Sequence, residues 1–460
     1  MASPTSAPLH TQHLVPAPAS TKIRLALLAT ALCDALGAPA EFKPRFSFPF
    51  ISLMKPNGNF SLGAGVWTDD TSMMLALARS LATYNASGGF DEADQLEAYL
   101  RWYQDGVLSA IGRCFDIGST IRRALKIYKD ALKASGALSP AETRRALARI
   151  ARDLLGDGFG GNGSLMRVLP VGLAYSRDPA GAAAYARRSS ATTHPNAVCA
   201  AACAAWTECI ARLVRGADAR EEQISKLDVL HPFAAYPWPA DADALRVALA
   251  ADVPLPAGVV DPAAIEAHYT AHHPLMRLRA AAHTEALAAT PSAGDAEALA
   301  ARTRALLPSA AALPSSGYVV HTLAAVLYAF LATRTFEAGA LLAANMGDDA
   351  DTVAAVYGGL AGVWYVAQEE EGADGEEGLF WSPRVRAWRN ALVRRDLIEE
   401  VAGELVEFVE RHAASSLSII RARKSQFILQ LNLLSASSTR GGLSISVHLY
   451  TTYCKNKRVW

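Results

Sequence analysis

The chain has 460 residues, and with 51% of them hydrophobic it can bury one large core or two ordinary ones. Lys and Arg together number 44, as do Asp and Glu, so no global field of one sign indicates a nucleic-acid or membrane partner. The six cysteines include no CxxC pair, which suits a reducing compartment rather than a disulfide framework.

The first segment, residues 1–20, contains Pro, Ser, Thr and His but no acidic residue, Lys or Arg, and this composition predicts a disordered leader. The next stretch, "KIRLALLATALCDALGAPA", has the basic start and short apolar run of a signal peptide. It begins only at Lys22, however, and carries Asp34, so we interpret it as the first core helix. No apolar run reaches the roughly 18 residues that a membrane span requires.

Helical periodicity dominates the chain after this stretch. Apolar residues recur at three- and four-residue spacing, as in "TIRRALKIYKDAL". The segments with this pattern are 22–37, 70–84, 91–104, 118–134, 140–155, 180–188, 195–215, 317–333, 336–345, 351–367 and 383–411. Convincing alternating strands are absent before residue 412. The pattern predicts an all-α fold, with a single large orthogonal helical domain over residues 21–411.

Two regions differ from this pattern. Residues 216–312 are rich in Ala, Pro and Asp and predict helices joined by long loops. His268 and His272 have the i, i+4 spacing of a metal pair, but without an HExxH pattern we interpret them as a solvated helix face. The tail, residues 412–460, holds seven Lys or Arg and no acid, so we interpret it as an atypical basic segment outside the core. A basic interaction tail is the alternative interpretation.

Clustered acids stand before two apolar runs. In "GVWTDDTSMMLALA", Asp69 and Asp70 are adjacent at a predicted helix start. A helix N-cap explains one Asp, and the second requires another reason. In "NMGDDADTVAAVYGGLAG", Asp349 and Asp351 precede a helix whose glycines would allow close packing against another helix. A further acid, Glu41, closes the first helix in "CDALGAPAEF".

If these segments converge, their five carboxylates form one cluster. Each pair about 4 Å apart would repel by about 4 kcal/mol at an effective dielectric constant near 20. The motifs contain no basic side chain that would offset this repulsion, whereas two divalent cations would. A ligand set of carboxylates and threonine hydroxyls favours Mg²⁺ or Mn²⁺ over zinc.

Six motifs together resemble those of the ADP-ribosylglycohydrolase family. In chain order they are "CDALGAPAEF", "WTDDTSMMLALA", "FDIGSTIRRAL", "GGNGSLMRVLPVGL", "SSATTHPNA" and "NMGDDADTVAAVYGGLAG", within residues 22–367. The resemblance implies an all-α domain with a two-metal site. Cys33 and Asp348 depart from the family pattern, since both stand where glycine is usual. Neither departure removes an implied ligand, although Asp348 adds a charge beside the metals.

The resemblance also implies roles for individual residues. It implies two Mg²⁺ ions, with Mn²⁺ as the alternative, held by Thr68, Asp69, Asp70, Asp349, Asp351 and Thr352. It implies that Glu41 reaches the scissile ribose as the catalytic acid or base, or ligates a metal until substrate arrives. The implied substrate-binding residues are Gly160, Gly161, Asn162, Gly163, Ser164, Met166, His194, Asp116, Gly118 and Ser119. Glycines before a helix also permit close backbone approach to a pyrophosphate, although such loops occur in many folds.

We therefore hypothesise a metal-dependent hydrolase that cleaves the bond between the distal ribose of ADP-ribose and a protein side chain or a related conjugate. The alternative is a catalytically weak ADP-ribose-binding or crystallin-like structural member of the same fold. We expect a monomer in the cytoplasm, with nucleus and mitochondrion left open. Its expected partners are ADP-ribosylated proteins or ADP-ribose conjugates, not nucleic acid or a membrane. The motifs do not distinguish arginine-linked, serine-linked, polymeric and O-acetylated ADP-ribose.

Overall fold

A computed structural model describes residues 7–83, 89–135, 138–219, 223–288, 296–367 and 378–413. Within these ranges the secondary structure is helical, with three isolated β-bridges and no longer strand. The helices are α1 (Ala19–Gly37), α2 (Asp69–Thr83), α3 (Glu92–Asp105), α4 (Ser119–Ser135), α5 (Pro140–Asp153), α6 (Leu169–Ala174), α7 (Pro179–Ala191), α8 (Ala197–Ala219), α9 (Lys226–Ala234), α10 (Asp243–Leu249), α11 (Pro262–His272), α12 (Pro274–Ala288), α13 (Ala296–Ala305), α14 (Val319–Ala332), α15 (Phe336–Ala344), α16 (Ala350–Tyr365) and α17 (Pro383–Ala391). The predicted all-α fold is confirmed.

One predicted helix is interrupted. The segment 383–411 breaks after α17, because Leu392 has an extended backbone and Arg394 has a left-handed φ of 50°. Residues 395–413 are helical again. One compact unit ends at Phe408, and a second begins at Val409. Most of the predicted basic tail, from residue 414 onward, lies outside the described residues.

The core is built on α1 and α16, which run antiparallel in close contact. All residues of α16 are buried, as expected for a helix that is apolar on every side. An added Cβ at Gly358 would lie 2.4 Å from the carbonyl oxygen of Ala29, and one at Gly362 would lie 2.8 Å from Cα of Ala26. The glycines of α16 therefore allow the two backbones to touch, as the sequence predicted.

The predicted disorder of the leader 1–20 is wrong for residues 7–20. Leu9 is fully buried, and its backbone N–H donates to the Glu266 carboxylate at 2.8 Å. The backbone N–H of Leu14 donates to the carbonyl of Ile224 at 2.8 Å. The segment is ordered because its few apolar residues and its backbone find partners in distant parts of the chain, which composition does not reveal.

Two helices are long and apolar enough to cross a membrane by length and composition, contrary to the expectation that no run is long enough. They are Ala19–Ala40 and Ala197–Asp218. Of their most apolar windows, 94% and 72% respectively are buried inside the protein. Both are core helices of this fold, because the surface that a membrane would cover is already covered by protein.

We expect Gly358→Ala to destabilise the protein, because the new Cβ would collide with the α1 backbone. Overpacking of this kind costs about 1–3 kcal/mol, measured as a lower free energy of unfolding in urea. Gly403→Ala is the matched helical control, since its Cβ would meet only Arg24 Nη1 at an ordinary 3.5 Å. Equal stabilities for the two variants would contradict the close contact.

Candidate active site and metal centre

The contact between α1 and α16 brings the acidic motifs to one place. An added Cβ at Gly37, the last residue of α1, would lie 2.5 Å from the carbonyl oxygen of Ala350, the first residue of α16. Helix α2 starts at the same place, because the Asp34 carboxylate accepts hydrogen bonds from the backbone and hydroxyl groups of Thr68 and Thr71. Asp34 thus joins the end of α1 to the start of α2.

The carboxylates form two groups that share one residue. Asp34, Asp70 and Asp351 each place one oxygen within 4.8 Å of the others, and Glu41, Asp349 and Asp351 do the same. Among the described residues, these are the groups of three or more His, Cys, Asp or Glu with the spacing of metal ligands. The predicted convergence of the three motifs is therefore present in the structure.

Threonine and asparagine side chains satisfy some of these oxygens. The Asp70 carboxylate lies 3.0 Å from the Thr68 hydroxyl oxygen and 3.3 Å from the Thr352 hydroxyl oxygen. Asn162 donates from Nδ2 to Asp349 Oδ2 at 2.7 Å. These contacts link the threonines of both acidic motifs, and the glycine loop, to the carboxylate groups.

Other carboxylate oxygens are buried without a hydrogen-bond partner among the described residues. They are Glu41 Oε2, Asp70 Oδ1, Asp116 Oδ2 and Asp351 Oδ1. Buried anionic oxygens are costly when nothing compensates their lost hydration. This donor set of hard oxygens, aimed at one another and unpartnered, fits divalent cations such as Mg²⁺ or Mn²⁺.

The pKa values of the acidic side chains are also consistent with a site for divalent cations. Burial, reinforced by Asp116, Asp349, Asp69 and Asp34, raises the pKa of Glu41 to about 10. Burial raises the pKa of Asp34 and that of Asp116 to about 6, and it raises those of Asp69, Asp70 and Asp351 well above their ordinary value. The carboxylates thus repel one another in a setting that favours protons or cations.

The clustered acids open onto a cavity of about 660 Å³. Of the predicted site residues, those in its wall are Glu41, Asp69, Asp116, Gly118, Ser119, Gly161, Asn162, Gly163, Met166, His194, Asp349, Asp351 and Thr352. No Lys or Arg is among the described residues of the wall. The predicted ligands Thr68 and Asp70 are buried behind it.

Two predicted substrate contacts, Gly160 and Ser164, are not in the wall. Gly160 lies under the Tyr318 ring, whose Cε2 would be 3.0 Å from an added Cβ. The Ser164 hydroxyl accepts from the Ser190 hydroxyl at 2.9 Å and so faces the core. Both residues contact neighbouring protein groups, and their contact with substrate stays a prediction.

Several wall residues lie outside the predicted set: Phe42, Ile117, Ile121, Ser316, Gly317 and Asp348. Thr120, which the family resemblance implies on the substrate side together with Ser119, also lines the wall. Asp34 also lies outside the predicted set; as a single acid inside an apolar helix it stands out in the sequence, but the sequence does not show what it binds. No comparable signal marks Ser316 and Gly317, which reach the wall because the carbonyl of Gly317 accepts from the backbone N–H of Asn162 at 2.9 Å. That contact joins loops far apart in the sequence.

The interpretation of His268 as a solvated residue agrees with the structure. Its Nε2 lies 2.9 Å from the carbonyl oxygen of Val253 in an exposed position. Its ring centroid is 4.7 Å from that of His272. Neither histidine belongs to a group of three potential metal ligands within the described ranges.

We expect Asp351→Asn to weaken binding of both cations, because Asp351 belongs to both carboxylate groups. Calorimetric titration with MgCl₂ and with MnCl₂ measures this effect. In EDTA the same variant should melt at a higher temperature than the unmodified protein, because one repelling charge is removed. Asp348→Asn is the control, since Asp348 lines the cavity but belongs to neither group. Unchanged cation binding by Asp351→Asn would contradict the metal centre.

A family model and several known proteins match this chain, and their descriptions agree with one another. Residues 16–414 match the sequence model of the ADP-ribosylglycohydrolase family. The ADP-ribosylarginine hydrolase Tri1 of Pseudomonas putida (strain GB-1) is 30% identical over 353 residues, which cover 76% of this chain and 72% of that protein. The Tri1 protein of Serratia proteamaculans (strain 568) is 29% identical, with coverage of 84% and 78%.

A more distant relative and a solved structure point to the same family. The ADP-ribosyl-[dinitrogen reductase] glycohydrolase of Rhodospirillum rubrum is 26% identical, covering 74% of this chain and 84% of that protein. A solved ADP-ribosylglycohydrolase-related protein complex superposes with a TM-score of 0.54 and 30% identity, covering 85% of this chain and 99% of the other. The chain therefore belongs to the ADP-ribosylglycohydrolase family.

Proposed function

We propose that this protein is a metal-dependent hydrolase that releases ADP-ribose from ADP-ribosylated arginine side chains of proteins. The observation that carries the proposal is the pair of carboxylate groups, one with Glu41 at the floor of the cavity and one reaching behind it, which share Asp351. The cavity volume of about 660 Å³ is within the usual range of roughly 300–1,000 Å³ for cofactor-sized ligands. The names of the relatives support the arginine linkage.

The residues that would hold the cations are Asp70, Asp349 and Asp351, with Asp69 and the hydroxyls of Thr68 and Thr352 beside them. Two bound Mg²⁺ or Mn²⁺ ions would orient ribose hydroxyls and make a bound water more acidic. Other side chains of the protein orient these ligands. Asn162 holds the Asp349 carboxylate, and Asp34 holds the start of α2 so that Asp70 faces Asp351.

Glu41 is the proposed catalytic acid or base. In the hydrolysis the bond between C1″ and the guanidine nitrogen breaks, and the hydroxyl of water is added to C1″. The remaining proton of that water goes to the leaving nitrogen. Glu41 lies at the cavity floor with Oε2 unpartnered among the described residues, so its carboxyl is available to move that proton.

The rim beside Glu41 supports an arginine substrate. Phe42 lines the cavity mouth and is 66% exposed, which is unusual for a large apolar side chain. Its left-handed φ of 61° is unfavourable for phenylalanine, and its backbone N–H is held by the Asp348 carbonyl at 2.6 Å. An exposed ring next to the reacting bond can stack on the planar, cationic guanidinium of the target arginine.

We expect Mg²⁺-dependent release of ADP-ribose from arginine-ADP-ribosylated protein, measured by chromatography of the free product. Glu41→Gln should lower kcat by about 10²- to 10⁴-fold, since it removes the proton-transferring group and keeps the shape. Binding of ADP-ribose by calorimetry should persist. Full turnover by this variant, with its cations bound, would contradict the role of Glu41.

The same assay separates the alternatives. Serine-ADP-ribosylated protein and poly(ADP-ribose) are tested beside the arginine-linked substrate. Release from one of these, and not from the arginine-linked substrate, would contradict the arginine linkage. It would still support the proposal that the protein is a hydrolase. Stabilisation by ADP-ribose without release from any substrate would favour the binding or crystallin-like alternative.

We expect Phe42→Ala to raise KM for arginine-linked substrate by about fivefold, in line with roughly 1 kcal/mol for an exposed cation–π contact. Phe46→Ala is the matched control. Phe46 lies in the same segment, is 53% exposed and also has a left-handed φ, of 67°, but it does not line the cavity. Steady-state kinetics should show little change for Phe46→Ala, and equal effects would contradict the proposed role of Phe42.

A further inference from the structure

The imidazole of His194 lies against the glycine loop in the cavity wall. A Cβ added at Gly163 would be 2.9 Å from His194 Cε1 and 3.2 Å from Nε2, and one at Gly161 would be 3.7 Å from Nε2. The Nε2 edge of the ring therefore faces the bare backbone of this loop. No hydrogen bond to Nε2 is found within the part of the chain that the structure describes.

The other ring nitrogen is tied to a buried cation through one hydroxyl. His194 Nδ1 lies 2.8 Å from Thr193 Oγ1, and Arg167 Nη2 donates to the same oxygen at 2.7 Å. A guanidinium can only donate, so the hydroxyl accepts from Arg167 and its own proton is left to donate. A hydroxyl oxygen can also accept twice, but no other acceptor for the Thr193 proton is found in the part of the chain that the structure describes, so Nδ1 accepts it. The proton of the neutral imidazole then resides on Nε2.

Burial, together with the Arg167 charge, also disfavours a positive charge on the His194 imidazole. Burial and the Arg167 charge lower the pKa of His194 to about 3. Arg167 is itself fully buried and donates from Nη1 to the carbonyl of Gly163 at 2.8 Å. Its guanidinium carbon lies 4.7 Å from the centre of the Tyr99 ring. One guanidinium thus holds both the glycine loop and the Thr193 hydroxyl.

We propose that Arg167 and Thr193 are positioning residues that hold His194 as a neutral imidazole whose Nε2–H donates to a pyrophosphate oxygen at the glycine loop. The ligand part of this inference rests on the proposed function, since ADP-ribose supplies the pyrophosphate. A pyrophosphate oxygen only accepts hydrogen bonds. With the proton on Nδ1, the Nε2 lone pair would face that oxygen and repel it.

Thr193→Val is the decisive variant, because it removes the hydroxyl and keeps the side-chain shape. Thr192→Val is the matched control. Thr192 is equally buried and its hydroxyl lies 3.3 Å from Arg167 Nη2, but within the described residues it makes no hydrogen bond to a ring nitrogen of His194. The readouts are the ¹⁵N shifts of the His194 ring in the full-length protein without ligand, assigned with His194→Gln, and the dissociation constant of ADP-ribose by calorimetry.

In the unmodified protein and in Thr192→Val we expect a single tautomer with the proton on Nε2. Thr193→Val should show a mixture of tautomers and bind ADP-ribose more weakly in proportion to the lost Nε2–H fraction, about twofold for an equal mixture. Thr193→Ser, which retains the hydroxyl, should restore both properties. A single Nε2–H tautomer with unchanged affinity in Thr193→Val would overturn the proposal, as would equal weakening by Thr192→Val.

The unmodified protein provides a test that does not depend on how the variants fold. An Nδ1–H tautomer or an imidazolium at neutral pH would overturn the proposal by itself. The tautomer is measured without ligand, so it is independent of the proposed function. Absence of ADP-ribose binding by the unmodified protein would instead count against the proposed function.

Discussion

The close antiparallel contact between α1 and α16 is the constraint on which the site depends. Because Gly358 and Gly362 carry no Cβ, the two backbones approach to distances that any other residue would prevent. Burial of both helices, at about 25 cal/mol per Å² of apolar surface, stabilises the arrangement. The end of α1 and the start of α16 then have to meet, and their carboxylates meet with them. Apolar packing thus offsets a local repulsion that the acids alone would relieve by moving apart.

The acids of the cluster divide into two kinds according to their hydrogen bonds. The Asp34 oxygens accept from backbone and hydroxyl groups of Thr68 and Thr71, so this carboxylate organises the polypeptide. Asp70, Asp351 and Glu41 each keep an oxygen without a partner in the described residues. In the proposed function these oxygens bind the cations and move the proton. One carboxylate therefore joins two helices, while the others keep oxygens free of hydrogen bonds from the described residues.

The helices and most of the acidic cluster were predictable from the sequence, because apolar periodicity and paired Asp residues are local patterns. The role of Asp34 was not, since it follows from the N–H groups of Thr68 and Thr71, which come near only in the folded chain. The order of residues 7–18 depends on Glu266 and Ile224 in the same way. The local spacing of "GGNGS" could not show that Ser164 turns inward, because its direction is set by Ser190 on α7.

The backbone link between Phe42 and Asp348 has a mechanical consequence. Phe42 donates its N–H to the Asp348 carbonyl, and the N–H of Asp348 donates to the carbonyl of Lys43 at 2.8 Å. Both Phe42 and Asp348 have left-handed backbones, which few substitutes would adopt without strain. Glu41 precedes one end of this clasp and Asp349 follows the other. These two hydrogen bonds therefore tie the backbone of the rim to the backbone of the floor, so a substitution that shifts Phe42 also shifts the segment that carries Asp349.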